Sequence, residues 1–162
     1  MGVEILVLIV IVVAGAALIN EIENKKENRL CDISFKEALD LTDLPVITFY
    51  NNGKKINFLL DTGANNSVID STILDNYNYE KSDIVGTVTG MEGNSIETSY
   101  ATMDLEYKEL VFEDKFQCVD MSKAFGAIKQ SSGVTIHGIL GNVFFRKYRY
   151  ILDFDELKAY IK

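Results

Sequence analysis

Asp61 stands near the start of Phe58–Asp70, FLLDTGANNSVID, with Thr62 and Gly63 after it and apolar residues on both sides. It follows INFLL, a run that reads as a buried strand, so its carboxylate should emerge from a strand end onto a tight, partly enclosed turn. An exposed turn aspartate costs nothing. A partly buried one must be hydrogen-bonded or change its proton affinity. Two such carboxyls face to face would share a proton, because like charges about 3 Å apart do not both ionise easily. One then acts as base and the other as acid, and the pair can activate water. Other chemistries have little to draw on. The chain has one histidine and two cysteines. Cys31 and Cys118 are far apart and form no CxxC pair, and they read as two free thiols, with a disulfide as the alternative. With His137 they are too few for a common zinc site. A Ser-His-Asp or Cys-His mechanism would rest on His137 alone, and a single histidine beside an apolar strand reads as a core or surface residue.

The elements that must hold Asp61 are mainly strands. After Pro45, VITFY and KINFLL flank NNGK, whose Asn-Gly tolerates positive φ at both positions and signals a hairpin. Further strand runs are IVGTVTG, SIETSYATMDLEY with near period-two alternation, LVFEDKFQCVDM, YRYILDF and LKAYI. GNVFFRKY reads as a short helix, with Asn142 as its cap and Arg146 and Lys147 at the end that favours cations. Met121–Val134, polar and containing Gly126 and Gly133, reads as a surface loop. The expectation is one compact, closed, mainly β domain over residues 45–162 with one or two short helices, and no internal repeat.

The amino end differs. Ile5–Ile19 carries no charge, and counted from Met1 the apolar stretch nearly reaches the roughly 30 Å of a hydrocarbon core at about 1.5 Å per residue. Residues 1–19 therefore read as a single membrane-spanning anchor. A cleaved signal peptide is the alternative, from the small residues at Ala14-Gly15-Ala16, but Glu4 replaces the basic start that such a signal needs. Lys25, Lys26 and Arg29 follow the anchor, a bias toward a cytoplasmic soluble domain. Residues 20–44 read as a polar tether and a short helix begun by a Ser34–Glu37 capping box. The net charge of −8 argues against nucleic acid, which is bound by Lys and Arg neutralising phosphates.

Three segments in order resemble the retropepsin family, single-domain aspartic proteases related to retroviral protease and to one lobe of pepsin. LLDTGANNSVI resembles the family's active-site loop. VTGMEGNSI is similar to its Gly-rich flap hairpin, and HGILGNVFFRKYRYILDF to its hydrophobic-hydrophobic-Gly segment, following helix and closing strand. The resemblance runs from about residue 45 to the end. It implies a single-lobe retropepsin-like fold with Asp61 as catalytic carboxylate, Thr62 hydrogen-bonded across to its mate, and Gly63 leaving room for backbone approach. Ala64 and Asn65 would border the substrate cleft, with Gly90, Met91, Glu92 and Gly93 at the flap tip. Asn65 departs from the Asp or Ser of many relatives. With one Asp-Thr-Gly per chain, the resemblance implies a homodimer with its axis between the aspartates, acting on extended polypeptide with no metal or organic cofactor. A non-catalytic membrane-tethered adaptor with the same fold is the competing reading, and the intact Asp61, Thr62 and Gly63 weigh against it.

Overall fold

The computed structural model describes residues 18–23, 29–89 and 95–161. The expected anchor therefore lies largely outside the described residues, among which no helix is long and apolar enough to cross a membrane. Residues 18–23 are helical. Cys31–Ile161 form a separate compact unit.

Among the described residues ten strands build the fold, in a small sheet of order β1-β10-β9 and a large one of order β2-β3-β8-β4-β7-β6-β5. They are β1 (Leu30–Ser34), β2 (Val46–Asn51), β3 (Lys54–Leu60), β4 (Ser67–Asp70), β5 (Glu80–Thr89), β6 (Ser95–Tyr107), β7 (Leu110–Val119), β8 (Gly138–Leu140), β9 (Tyr150–Asp153) and β10 (Lys158–Ile161). An extra pairing, Tyr50 with Glu106, joins edge strand β2 to β6 and closes the large sheet into a barrel. The β2–β3 hairpin turns on Asn52 and Gly53, both at positive φ (50° and 75°), as the Asn-Gly signal requires.

Alternation on these strands sends one set of side chains inward. Ile56, Phe58 and Leu60 of β3 and Phe112 and Phe116 of β7 are all buried. Phe49 lies at the centre with no exposed surface, its ring edge-on to those of Phe58, Phe112 and Phe144. Each such ring contributes roughly 1.5–3 kcal/mol on burial. Phe144 ties the helix it belongs to into this core.

Among the described residues, 45–162 hold two α-helices, within the one or two expected, and a third precedes them where a short helix was read. They are α1 (Lys36–Thr42), α2 (Ser122–Ser132) and α3 (Asn142–Tyr148), with a 3-10 turn at Ser71–Asn76. The stretch read as a surface loop is thus largely α2. Its Gly and Ser content lowers intrinsic helix preference, but Met121, Phe125 and Ile128 recur at helical spacing and pack with Val46 and Ile136. Packing overrides propensity there, and Gly133 ends the helix at φ 78°. The Ser34–Glu37 capping box does not form either. Phe35 is the N-cap of α1, and the Ser34 hydroxyl accepts from the Lys36 N–H at 3.3 Å.

Candidate active site

β8 runs parallel to β3, pairing Leu60 with Leu140, and antiparallel to β4, pairing Val68 with Ile139. The strands that lead into and out of the Asp-Thr-Gly turn are therefore splayed apart by a third strand from far along the chain. Asp61 continues that pairing by donating its N–H to the Leu140 carbonyl at 3.1 Å. Its own carbonyl accepts from the Ala64 N–H (3.2 Å), and its Oδ1 accepts from the Gly63 N–H at 2.8 Å. A methyl group at residue 63 would stand 3.1 Å from that oxygen, so glycine leaves the carboxylate uncrowded. Asp61 and Ala64 are half-buried, while Thr62, Gly63 and Asn65 are exposed. The buried strand end thus holds one carboxylate at the edge of an outward-facing turn.

A second support comes from the β8–α3 junction. The Asn142 N–H donates to the Ala64 carbonyl at 2.8 Å, the Val143 N–H donates to Asn65 at 3.1 Å, and the Asn142 Nδ2 donates to the Thr62 carbonyl at 2.8 Å. Asn142 is not the helix cap expected from sequence. Gly141 is the N-cap, and Asn142 is the first helical residue, whose side chain turns back to the loop. The cap assignment erred by one position, which is enough to redirect the amide from its own helix to Thr62.

Behind the loop lies a carboxyl that the sequence reading passed over. Asp114 is 2 % exposed and points inward between Phe112 and Phe116. It is hydrogen-bonded to the buried Ser67 hydroxyl, which also accepts the Gly141 N–H at 3.3 Å. Its Oδ2 has no hydrogen-bond partner among the described residues. An Asp at an inward position of an alternating strand was the available signal. Burial pushes its carboxyl above the usual range, with Ser67, the Lys115 amide and Lys147 pulling it partly back.

That shift sets a stability dependence. The folded chain holds the Asp114 proton more tightly than the unfolded chain, so its contribution is full below the ordinary Asp value of about 3.9 and is lost as pH rises through the folded value. Asp114→Asn keeps an acceptor for Ser67 and removes the ionisation. Its melting temperature, relative to wild type, is expected to rise by several degrees between acid and neutral pH. A difference that does not change with pH would count against a buried titrating carboxyl.

His137 is built into the wall. Its Nδ1 accepts the Asn57 N–H at 2.9 Å and its ring lies edge-on to Tyr77. Burial lowers its proton affinity, and protonation at Nδ1 would cost the hydrogen bond that this nitrogen accepts from Asn57. Cys31 and Cys118 are both free, and burial pushes the Cys31 thiol up to about 11. No group of His, Cys, Asp or Glu among the described residues could hold a metal ion. The structure thus brings Asp61, Thr62, Gly63, Ala64 and Asn65 onto one braced loop. Gly90, Met91, Glu92 and Gly93 lie outside the described residues, between β5 and β6, which pair as an antiparallel hairpin up to Thr89 and Ser95.

Among curated proteins the chain has no match. A solved structure of EIAV protease complexed with the inhibitor HBY-793 is similar, at 21 % identity and a TM-score of 0.47, covering 64 % of this chain and 86 % of that one. The sequence model of a family described as aspartyl protease matches residues 47–144, a span that runs from β2 through the Asp-Thr-Gly loop to α3. With more than half of its length matched, this chain belongs to the aspartyl protease family.

Proposed function

We propose that the chain is an aspartic endopeptidase that works as a homodimer, each subunit supplying one Asp61. The observation that carries this reading is a single carboxylate held on an exposed turn that is braced from both sides. Such bracing orients the group without completing an acid–base pair. A second copy across a two-fold axis supplies the other half.

In this reading, Asp61 and the partner's Asp61 share one proton. The ionised carboxyl takes a proton from water as its oxygen attacks the scissile carbonyl, while the protonated one donates to the carbonyl oxygen. The tetrahedral intermediate then collapses. The newly protonated carboxyl gives its proton to the nitrogen as the C–N bond breaks, the other takes one from a hydroxyl of the intermediate, and the products are a carboxylic acid, an amine and the original singly protonated pair. Thr62 hydrogen-bonds across the axis, and Ala64 and Asn65 border the cleft. The hairpin tip at Gly90, Met91, Glu92 and Gly93 covers a substrate bound as an added strand. Residues 1–19 anchor the protein as a single pass, with the catalytic domain on the cytoplasmic side by the charge bias of Lys25, Lys26 and Arg29. Confinement to a plane raises the effective concentration of subunits.

Dilution tests the reading. Peptide cleavage by the full chain, solubilised in detergent, is expected to show a specific activity that falls as protein is diluted through the dimerisation range and tends toward proportionality with concentration below it. A specific activity that stays constant across that range would mean that one chain suffices, and the homodimer would be abandoned.

A further inference from the structure

Asn142 makes two contacts with the loop, and they bracket Gly63. Its backbone N–H holds the Ala64 carbonyl and its side-chain Nδ2 holds the Thr62 carbonyl. The second contact has a mechanical consequence. The Thr62 C=O and the Gly63 N–H are opposite ends of one planar peptide unit, so neither turns without the other. The Gly63 N–H is the group that donates to Asp61 Oδ1. One rigid plane therefore links the Asn142 amide to the Asp61 carboxylate, with hydrogen bonds of 2.8 Å at both ends. A donor on the carbonyl also polarises the peptide and strengthens its N–H as a donor.

We propose that Asn142 is a positioning residue for Asp61, acting through the Thr62–Gly63 peptide to fix the orientation of the carboxylate. The role belongs to the amide donor. A carboxylate at the same place would turn a like partial charge toward the Thr62 carbonyl and release the plane, yet an acidic residue in the first turn of a helix suits the helix itself. Function and helix stability are thereby expected to move in different directions. The inference rests on the endopeptidase reading for its kinetic consequence but not for its structural one.

The test compares wild type, Asn142→Asp and Asn142→Leu in the full chain, with Asp61→Asn as the inactive reference. Asn142→Asp is expected to keep its melting temperature and to lose about 10-fold or more in kcat near neutral pH, with KM little changed, since displacing a reacting group by even a fraction of an ångström is costly. As pH falls toward about 4, the introduced carboxyl gains a proton and becomes a donor again, so its activity relative to wild type should recover. Asn142→Leu, which has no donor at any pH, should show the deficit throughout. The other charged side chains carried nearby, Arg146 and Lys147 on α3 and Asp114 behind Ser67, are the same in all variants.

The Gly63 amide resonance gives a readout that needs no turnover. It should lie downfield in wild type, move upfield in both variants at neutral pH, and return with acid only in Asn142→Asp. An unchanged Gly63 resonance in both variants would overturn the inference, as would wild-type kcat and pH profile in Asn142→Asp. Absence of Asp61-dependent cleavage by wild type would instead overturn the endopeptidase reading, with the resonance still deciding the role of Asn142.

Discussion

Asp61→Asn is expected to lower peptide cleavage by about 10³-fold or more, because it removes the acid–base group while keeping shape and a partner for the Gly63 N–H. More telling is its effect on wild-type chains. Mixed dimers would carry one carboxyl and one amide, and the amide neither takes a proton from water nor gives one to the carbonyl. With subunits assorting at random, an equal amount of the variant added to a fixed amount of wild type should leave about half the activity, and a ninefold excess about a tenth. The measurement is the rate at fixed wild-type concentration, well above the dimerisation range, after subunit exchange. Activity that ignores added variant would show that each chain works alone.

Gly141→Ala is expected to be damaging out of proportion to its single added methyl. A Cβ there would stand 2.5 Å from the Asn66 carbonyl oxygen, 2.7 Å from its carbon and 2.9 Å from the Ala64 oxygen. All three are backbone atoms of the loop, so no side chain can swing aside. Gly141 sits at φ −102°, a conformation open to any residue, which makes room rather than flexibility the reason for glycine. The clash would push the loop off the α3 junction, cost about 3 kcal/mol and remove activity with it. Gly126 gives the contrast. It lies within α2 with nothing within 4 Å of an added Cβ, and alanine there should stabilise by up to about 1 kcal/mol through helix preference. Denaturant midpoints of the two variants decide the matter. Equal effects would mean that the close approach at Gly141 has no energetic weight.

The sequence displayed the loop better than its supports. The Asp-Thr-Gly turn, the Asn52-Gly53 hairpin and the presence of α3, though not its cap, follow from local rules, since turn residues, φ preferences and charge placement act within a few positions. What it hid depends on contacts between distant segments. The helix at Ser122–Ser132 is stabilised by Phe125 against Val46 and Ile136, neither of which lies within the window that periodicity inspects. The side-chain partner of Asn142 is 80 residues earlier. Asp114 was visible as a charge on an inward position, but only its place behind Ser67 connects it with the loop. β1, which pairs with β10 at the other end of the chain, carries too short an apolar pattern to declare itself.

The insertion of β8 between β3 and β4 also governs when the site can exist during synthesis. Asp61 leaves the ribosome well before Leu140 and Asn142, which brace its loop and follow about 80 residues behind it. At ordinary translation rates that interval is on the order of ten seconds. Non-local pairing of this kind is also slow to form. Throughout that window the nascent chain carries its carboxylate on an unsupported turn, with an open gap where the third strand belongs. On the proposed reading, a growing chain therefore carries no complete site until β8 and the start of α3 have been made and a second subunit has joined it.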